Sequence, residues 1–206
     1  VHYYAQGGSD TEVTRSLWDP TYTDPSWIAT KIDLLPRMHE WVARSYPGTK
    51  IALSEYNLSV NSSPVVNALI QADTLGIFAR EGLDLATRWP LEADGPLIAD
   101  AFRLYRDYDG RHGSFGDTYV SSTSTDQSRL AVYGAQRSTD GAYTVMVVNK
   151  TAEALTSPLS LSGIDPSGPA GVWQWSGGSI ARQADQPLTS GGFSATYPPR
   201  SMTLFV

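Results

Sequence analysis

The chain has 206 residues, 41% hydrophobic and 17% charged, with a net charge of -6, six tryptophans, eleven tyrosines and no cysteine. That length buries a substantial core as one large or two small domains. The acidic balance argues against a nucleic-acid partner, whose phosphates select a basic face, and no run approaches the roughly 20 apolar residues of a membrane helix. Lack of cysteine excludes disulfides and thiolate metal sites without fixing the compartment.

Val1 to Tyr4 reads as the end of a strand with His2 and Tyr4 on one side by two-residue alternation. It has neither the basic region nor the apolar stretch of a signal peptide, so the chain is expected to begin inside a longer protein. A Gly7-Gly8 turn leads into a polar loop holding Trp18 and the Asp19-Pro20 turn. Asp24-Pro25 predicts an N-cap and first-turn proline for a helix carrying Trp27, Ile28 and Ile32. Pro36 divides that helix, and a second piece with Leu35, Met38 and Val42 stops before Pro47-Gly48. Lys50 to Asn57 opens with small and aliphatic residues and then sets an acid, a phenol and an amide in succession, which predicts a buried strand ending in a polar site. Ser63-Pro64 starts the clearest helix, with Val65, Ala68, Leu69, Ala72, Leu75 and Ala79 on one face and Gly82 as its stop. Leu83 to Trp89 is a further short strand ended by Pro90, and a third helix runs from about Pro96 to Tyr108. Strand and helix alternate three times, the order of a parallel α/β unit.

From Phe115 the period changes. Tyr119 to Thr125, Arg129 to Arg137, Ala142 to Asn149, Leu155 to Leu161, Gly171 to Trp175, Gly192 to Tyr197 and Ser201 to Val206 are short, alternating or β-branched, with Ser/Asp/Gly turns between them. About seven such strands predict an antiparallel sandwich. The expected division is 1–114 for the α/β part and 115–206 for the sandwich.

In parallel α/β structures reactive side chains gather where strands end, which singles out Glu55. His2 and Tyr4, from a neighbouring strand end, could hydrogen-bond it, and a phenol can hold a carboxylate in its ionised form. Trp89 suits a pyranose ring stacked on its face, with Arg88, Tyr56 and Asn57 as polar neighbours. Trp18 and Trp27 could line more distant sugar positions. Trp173 and Trp175, two apart on one strand, share a face and form either a polysaccharide platform, as in carbohydrate-binding modules, or, the preferred reading, the interface between sandwich and barrel.

The runs Arg15-Ser16-Leu17-Trp18-Asp19-Pro20-Thr21-Tyr22, Leu35-Pro36-Arg37-Met38, Tyr46-Pro47-Gly48-Thr49-Lys50, Ser54-Glu55-Tyr56-Asn57, Gly76-Ile77-Phe78 and Leu85-Ala86-Thr87-Arg88-Trp89 closely resemble glycoside hydrolase family 44. So do the stretches Ser128 to Asn149 and Ser201 to Val206, and the motifs stand in the family's order. The resemblance implies the C-terminal part of a (β/α)8-like barrel, strands six to eight, followed by an antiparallel β-sandwich. It implies a retaining, secreted endo-β-1,4-glucanase that accepts cellulose or xyloglucan, with Glu55 as nucleophile; no cofactor is expected, and no residue stands out as a metal ligand. The family's acid/base glutamate lies at the fourth strand, outside these residues, so the N-terminal remainder of the barrel is the expected partner. Retention needs two carboxyl groups about 5 to 5.5 Å apart, and Glu12, Glu40, Glu81, Glu92 and Glu153 fall in loops or helices.

Overall fold

The computed structural model describes residues 1–8, 10–90 and 95–206. They divide into two compact units, Val1–Ile98 and Ala99–Val206. The described residues form a mixed α/β arrangement with one parallel sheet and two antiparallel sheets. No described helix is long and apolar enough to cross a membrane.

The first unit is built on a parallel sheet of β1 (His2–Tyr4), β2 (Ala52–Asn57) and β3 (Leu85–Arg88), with β2 in the middle. Helix α1 (Leu34–Ser45) links β1 to β2, and α2 (Pro64–Arg80) links β2 to β3. Helix α2 starts where the sequence predicts. The Ser63 hydroxyl accepts the Val66 N–H at 3.3 Å, Pro64 occupies the first turn, and Gly82, at a φ of 68°, lies just past the end. Its apolar residues are buried almost all round, which suits a helix packed between other elements.

Two segments differ from expectation. Thr11–Leu17, expected as loop, is a 3₁₀ helix capped by the Asp10 carboxylate and tied to α2 by a 2.6 Å bond from the Thr14 hydroxyl to Asp73. The helix expected from Asp24 does not form. Asp24 accepts the Ser26 N–H at 2.9 Å in a tight turn, and Ala29 and Asp33 take left-handed φ values of 46° and 44°, which no right-handed helix tolerates. A single helix, α1, begins at Leu34 with Pro36 in its first turn, where a missing N–H costs nothing.

Strand β2 holds a bulge that decides which way its side chains point. Leu53 pairs with Ala86 of β3 and Tyr56 with Arg88, so three steps along β2 match two along β3. The extra residue breaks alternation: Leu53 and Tyr56, three apart, are both buried, while Ser54 and Glu55 between them reach solvent. Without it Glu55 would share the buried face of Leu53, two residues earlier.

In the second unit, most of α3 (Gly95–Arg106) precedes eight strands, β4 (Thr118–Val120), β5 (Leu130–Gln136), β6 (Tyr143–Asn149), β7 (Leu155–Ser160), β8 (Ala170–Trp175), β9 (Ile180–Gln186), β10 (Gly192–Tyr197) and β11 (Ser201–Phe205). Six pair antiparallel in the order β4-β5-β6-β11-β8-β9, and β10 pairs with β7. Val147, Val172 and Phe205 of the larger sheet pack against Leu159, Phe193 and Tyr197 of the smaller one. Seven of the eight strands overlap those read from the sequence. The eighth, β9, is Ile-Ala-Arg-Gln-Ala-Asp-Gln on the edge of the larger sheet; most of it is exposed, so it carries no apolar alternation.

Candidate active site

Parallel pairing sets His2 beside Glu55 and Tyr4 beside Asn57 at the carboxyl end of the sheet. Paired residues project to the same side, and the bulge turns Glu55 to that side too, so three side chains converge. The Tyr4 hydroxyl donates to Glu55 Oε2 at 2.6 Å, and His2 Nδ1 lies 3.3 Å from the same oxygen. Among the described residues Oε1 has no hydrogen-bond or ionic partner. The Tyr4 hydroxyl is held above its ordinary value of 10.0, first by the bond it donates to Glu55 and then by its limited desolvation. Losing that proton would set a phenolate against a carboxylate. The arrangement holds one carboxylate oxygen and leaves the other open.

Tyr56 and Asn57, expected to contact a ligand, are placed otherwise. Tyr56 is 1% exposed, packs edge-on against Phe78 of α2, and its hydroxyl accepts from Gln71 Nε2 at 2.8 Å. Burial pushes that hydroxyl up from its ordinary value. Asn57 is buried and its side-chain oxygen accepts the Ser59 N–H at 2.8 Å, closing the turn after β2. Arg88 donates to Gln71 at 3.0 Å and to Ser59 at 2.7 Å, so it braces the same turn. Gln71 and Ser59 join these residues into one network; Ser59 is an ordinary polar residue just past β2, and Gln71 is a lone polar residue amid the apolar run of α2.

The aromatic residues separate by position. Trp89 follows β3 at 59% exposure, its backbone N–H donating to Tyr56 O at 3.0 Å, one step beyond Glu55 in β2. Trp27 is 82% exposed. Its neighbour Ser26 lies against Gly7, three residues past β1, so close that a Cβ on Gly7 would come 2.8 Å from that of Ser26. Trp27 therefore sits near the same end of the sheet as Glu55. Trp18 does not. Its ring lies under the Arg80 guanidinium, 4.4 Å away, and Arg80 ends α2 at the side where the strands begin. A helix joining parallel strands runs back from their carboxyl ends to their starts, which removes Trp18 from the Glu55 end.

Glu12 is paired with Arg15 at 2.9 Å and Glu81 with Arg80 at 2.8 Å, while Glu92 lies outside the described residues. In the second unit Trp175 is fully buried and donates from its indole N–H to Asp100 Oδ2 at 3.0 Å. Trp173 is enclosed by Tyr108, with ring centroids 4.5 Å apart, and by the Arg182 guanidinium. The pair forms a packing face and offers no open platform.

No protein-family model matches the chain. Among solved structures it superposes on CelM2, a bifunctional glucanase-xylanase from a metagenome library, with a TM-score of 0.93 and 40% identity over 100% of this chain and 42% of that one. A Paenibacillus polymyxa xyloglucanase from glycoside hydrolase family 44 gives a TM-score of 0.89 and 28% identity over 100% of this chain and 45% of that one. The chain carries the family 44 fold. Endoglucanase A of Paenibacillus lautus is 30% identical over 228 residues, which span 98% of this chain and 32% of that protein. The chain thus spans less than half of the family 44 structure and about a third of the curated relative, and both of its units fall within the family 44 superposition.

Proposed function

We propose that these residues form the nucleophile-bearing part of a retaining endo-β-1,4-glucanase, with β1, β2 and β3 as the sixth, seventh and eighth strands of a (β/α)8-like barrel and unit two as its sandwich. Glu55 attacks the anomeric carbon through Oε1 and forms a glycosyl-enzyme ester, which water then hydrolyses. Tyr4 and His2 fix Oε2, so the carboxylate stays aimed while its free oxygen reacts. The acid/base carboxyl comes from the rest of the full-length protein. Trp89 and Trp27 offer apolar faces to the sugar rings of cellulose or xyloglucan, a polymer that the enzyme meets outside the cell.

The observation that carries this reading is the placement of Tyr4 and His2 on one oxygen of Glu55 alone, at the end of the central strand. The test is Glu55→Gln in the full-length protein, which should abolish hydrolysis of xyloglucan and carboxymethyl-cellulose. Near wild-type activity would overturn the assignment. Glu55→Gly with azide separates nucleophile from acid/base, because loss of the nucleophile lets azide attack directly and yields the glycosyl azide of inverted configuration. A second polymer enters on one observation: the relative with 40% identity is described as a glucanase-xylanase. Comparing sugars released from xyloglucan, carboxymethyl-cellulose and xylan decides whether xylan is also a substrate.

A further inference from the structure

Asp24 is 1% exposed and takes no part in the chemistry around Glu55. Its carboxylate gathers three donors: the Ser26 N–H at 2.9 Å, the Ser26 hydroxyl, and the Ser16 hydroxyl at 3.3 Å. It lies beneath the buried face of β1. Burial pushes the Tyr3 hydroxyl there up to about 12, while Ser16 acts to lower it and the charge of Asp24 acts to raise it. The loop above is closed by the Asp24 N–H donating to Thr30 O at 2.9 Å. It is tightened by Ala29 N–H to Ser26 O at 3.1 Å and Ile28 N–H to Ser26 Oγ at 3.2 Å. Ser26 rests on Gly7, where no side chain fits. Trp27 stands at the tip of this fastened loop, 82% exposed.

Among the described residues the indole is largely unpacked, while many bonds fix the loop that carries it. A surface whose shape is fixed before a ligand arrives loses less freedom on binding. We propose that Asp24 is a positioning residue whose buried carboxylate presets the loop that presents Trp27 to a distal sugar of the glucan chain. This rests on the reading of Trp27 as a sugar platform and adds the group that keeps it in place.

The test uses the full-length protein with two substrates, xyloglucan polymer and a short aryl cellobioside, which fills only the sugar positions next to the cleaved bond. Trp27→Ala and Asp24→Asn should each raise the polymer KM about tenfold, with kcat within about twofold. Asp24→Asn should leave kcat on the aryl substrate within about twofold. The double variant should match Trp27→Ala alone, because Asp24 acts through that ring. If Asp24→Asn fails to fold, judged by near-ultraviolet circular dichroism, Ser26→Ala replaces it and should raise the same KM. If Trp27→Ala leaves the polymer KM unchanged, the platform reading falls and the proposal with it. If Trp27→Ala raises KM and the loop variants do not, the platform stands and the proposal alone is overturned. An added effect of Asp24→Asn on top of Trp27→Ala, or a loss on the aryl substrate in Asp24→Asn, also overturns it.

Discussion

Replacing Trp175 with Phe tests whether the second unit uses this tryptophan as scaffold. The indole is fully buried, and its N–H donates at 3.0 Å to Asp100, whose other oxygen is taken by the half-exposed Arg103 at 2.7 Å. Phenylalanine removes the donor and strands a carboxylate oxygen that desolvation has made dependent on it, at a cost of about 1.5–3 kcal/mol. The smaller ring also leaves a void of a few carbon atoms in a site closed by α3, worth about 1 kcal/mol more. A loss of about 2.5–4 kcal/mol, divided by a urea slope of about 2 kcal/mol per molar, lowers the midpoint by about 1.2–2 M. Asp100→Asn keeps an oxygen for the indole and gives up only an ion pair with a solvated arginine, so it should cost less than about 1 kcal/mol. Urea unfolding followed by near-ultraviolet circular dichroism measures both. A Trp175→Phe midpoint within about 0.5 M of the parent would refute the reasoning.

Glu55→Gln removes the charge that holds the Tyr4 proton, so the Tyr4 titration should fall back toward 10.0 from its raised position; NMR of ring-labelled tyrosine reads the change, and an unmoved titration contradicts the pairing. In the full-length protein Trp89→Ala should raise the KM for xyloglucan about tenfold with a smaller change in kcat. Trp18→Ala, at the other end of the sheet, should leave that KM within about twofold, and equal effects of the two would erase the distinction between the sheet's ends. Gly192→Ala puts a side chain on a residue with φ of 120° and drives it into the carbonyl of Leu159 on the paired strand. It should destabilise the second unit by at least about 2 kcal/mol in the same urea assay, and a neutral result would mean that β7 and β10 are not paired in this register.

What the sequence revealed, and where it misled, follows from how local each signal is. Helix α2 was readable because Ser63-Pro64 and Gly82 act on their own backbone. The meeting of His2, Tyr4 and Glu55 was readable because parallel pairing at a common strand end needs only alternation on β1. Tyr56 points away from the site because neighbours in a strand face opposite sides and Glu55 holds the open one, while the bulge shows in the order apolar, polar, polar, apolar at Leu53 to Tyr56, which departs from period two. Asp24-Pro25 serves equally as a helix cap or as a tight turn, and the left-handed residues at Ala29 and Asp33, neither a glycine nor an asparagine, gave no warning. Strand β9 is held at an edge by its neighbour's hydrogen bonds rather than by its own side chains. The position of Trp18 depends on a 3₁₀ helix packing against α2, a long-range contact that no local pattern encodes.

The odd residue in β2 has a consequence for anyone moving this segment into another scaffold. Leu53-Ser54-Glu55-Tyr56 behaves as one indivisible cassette: shortening it by a single residue would turn the acid inward and bring a core ring out, while the composition stayed almost unchanged. Length tolerance here should be nil, in contrast to the fully exposed turn at 176–179 between β8 and β9.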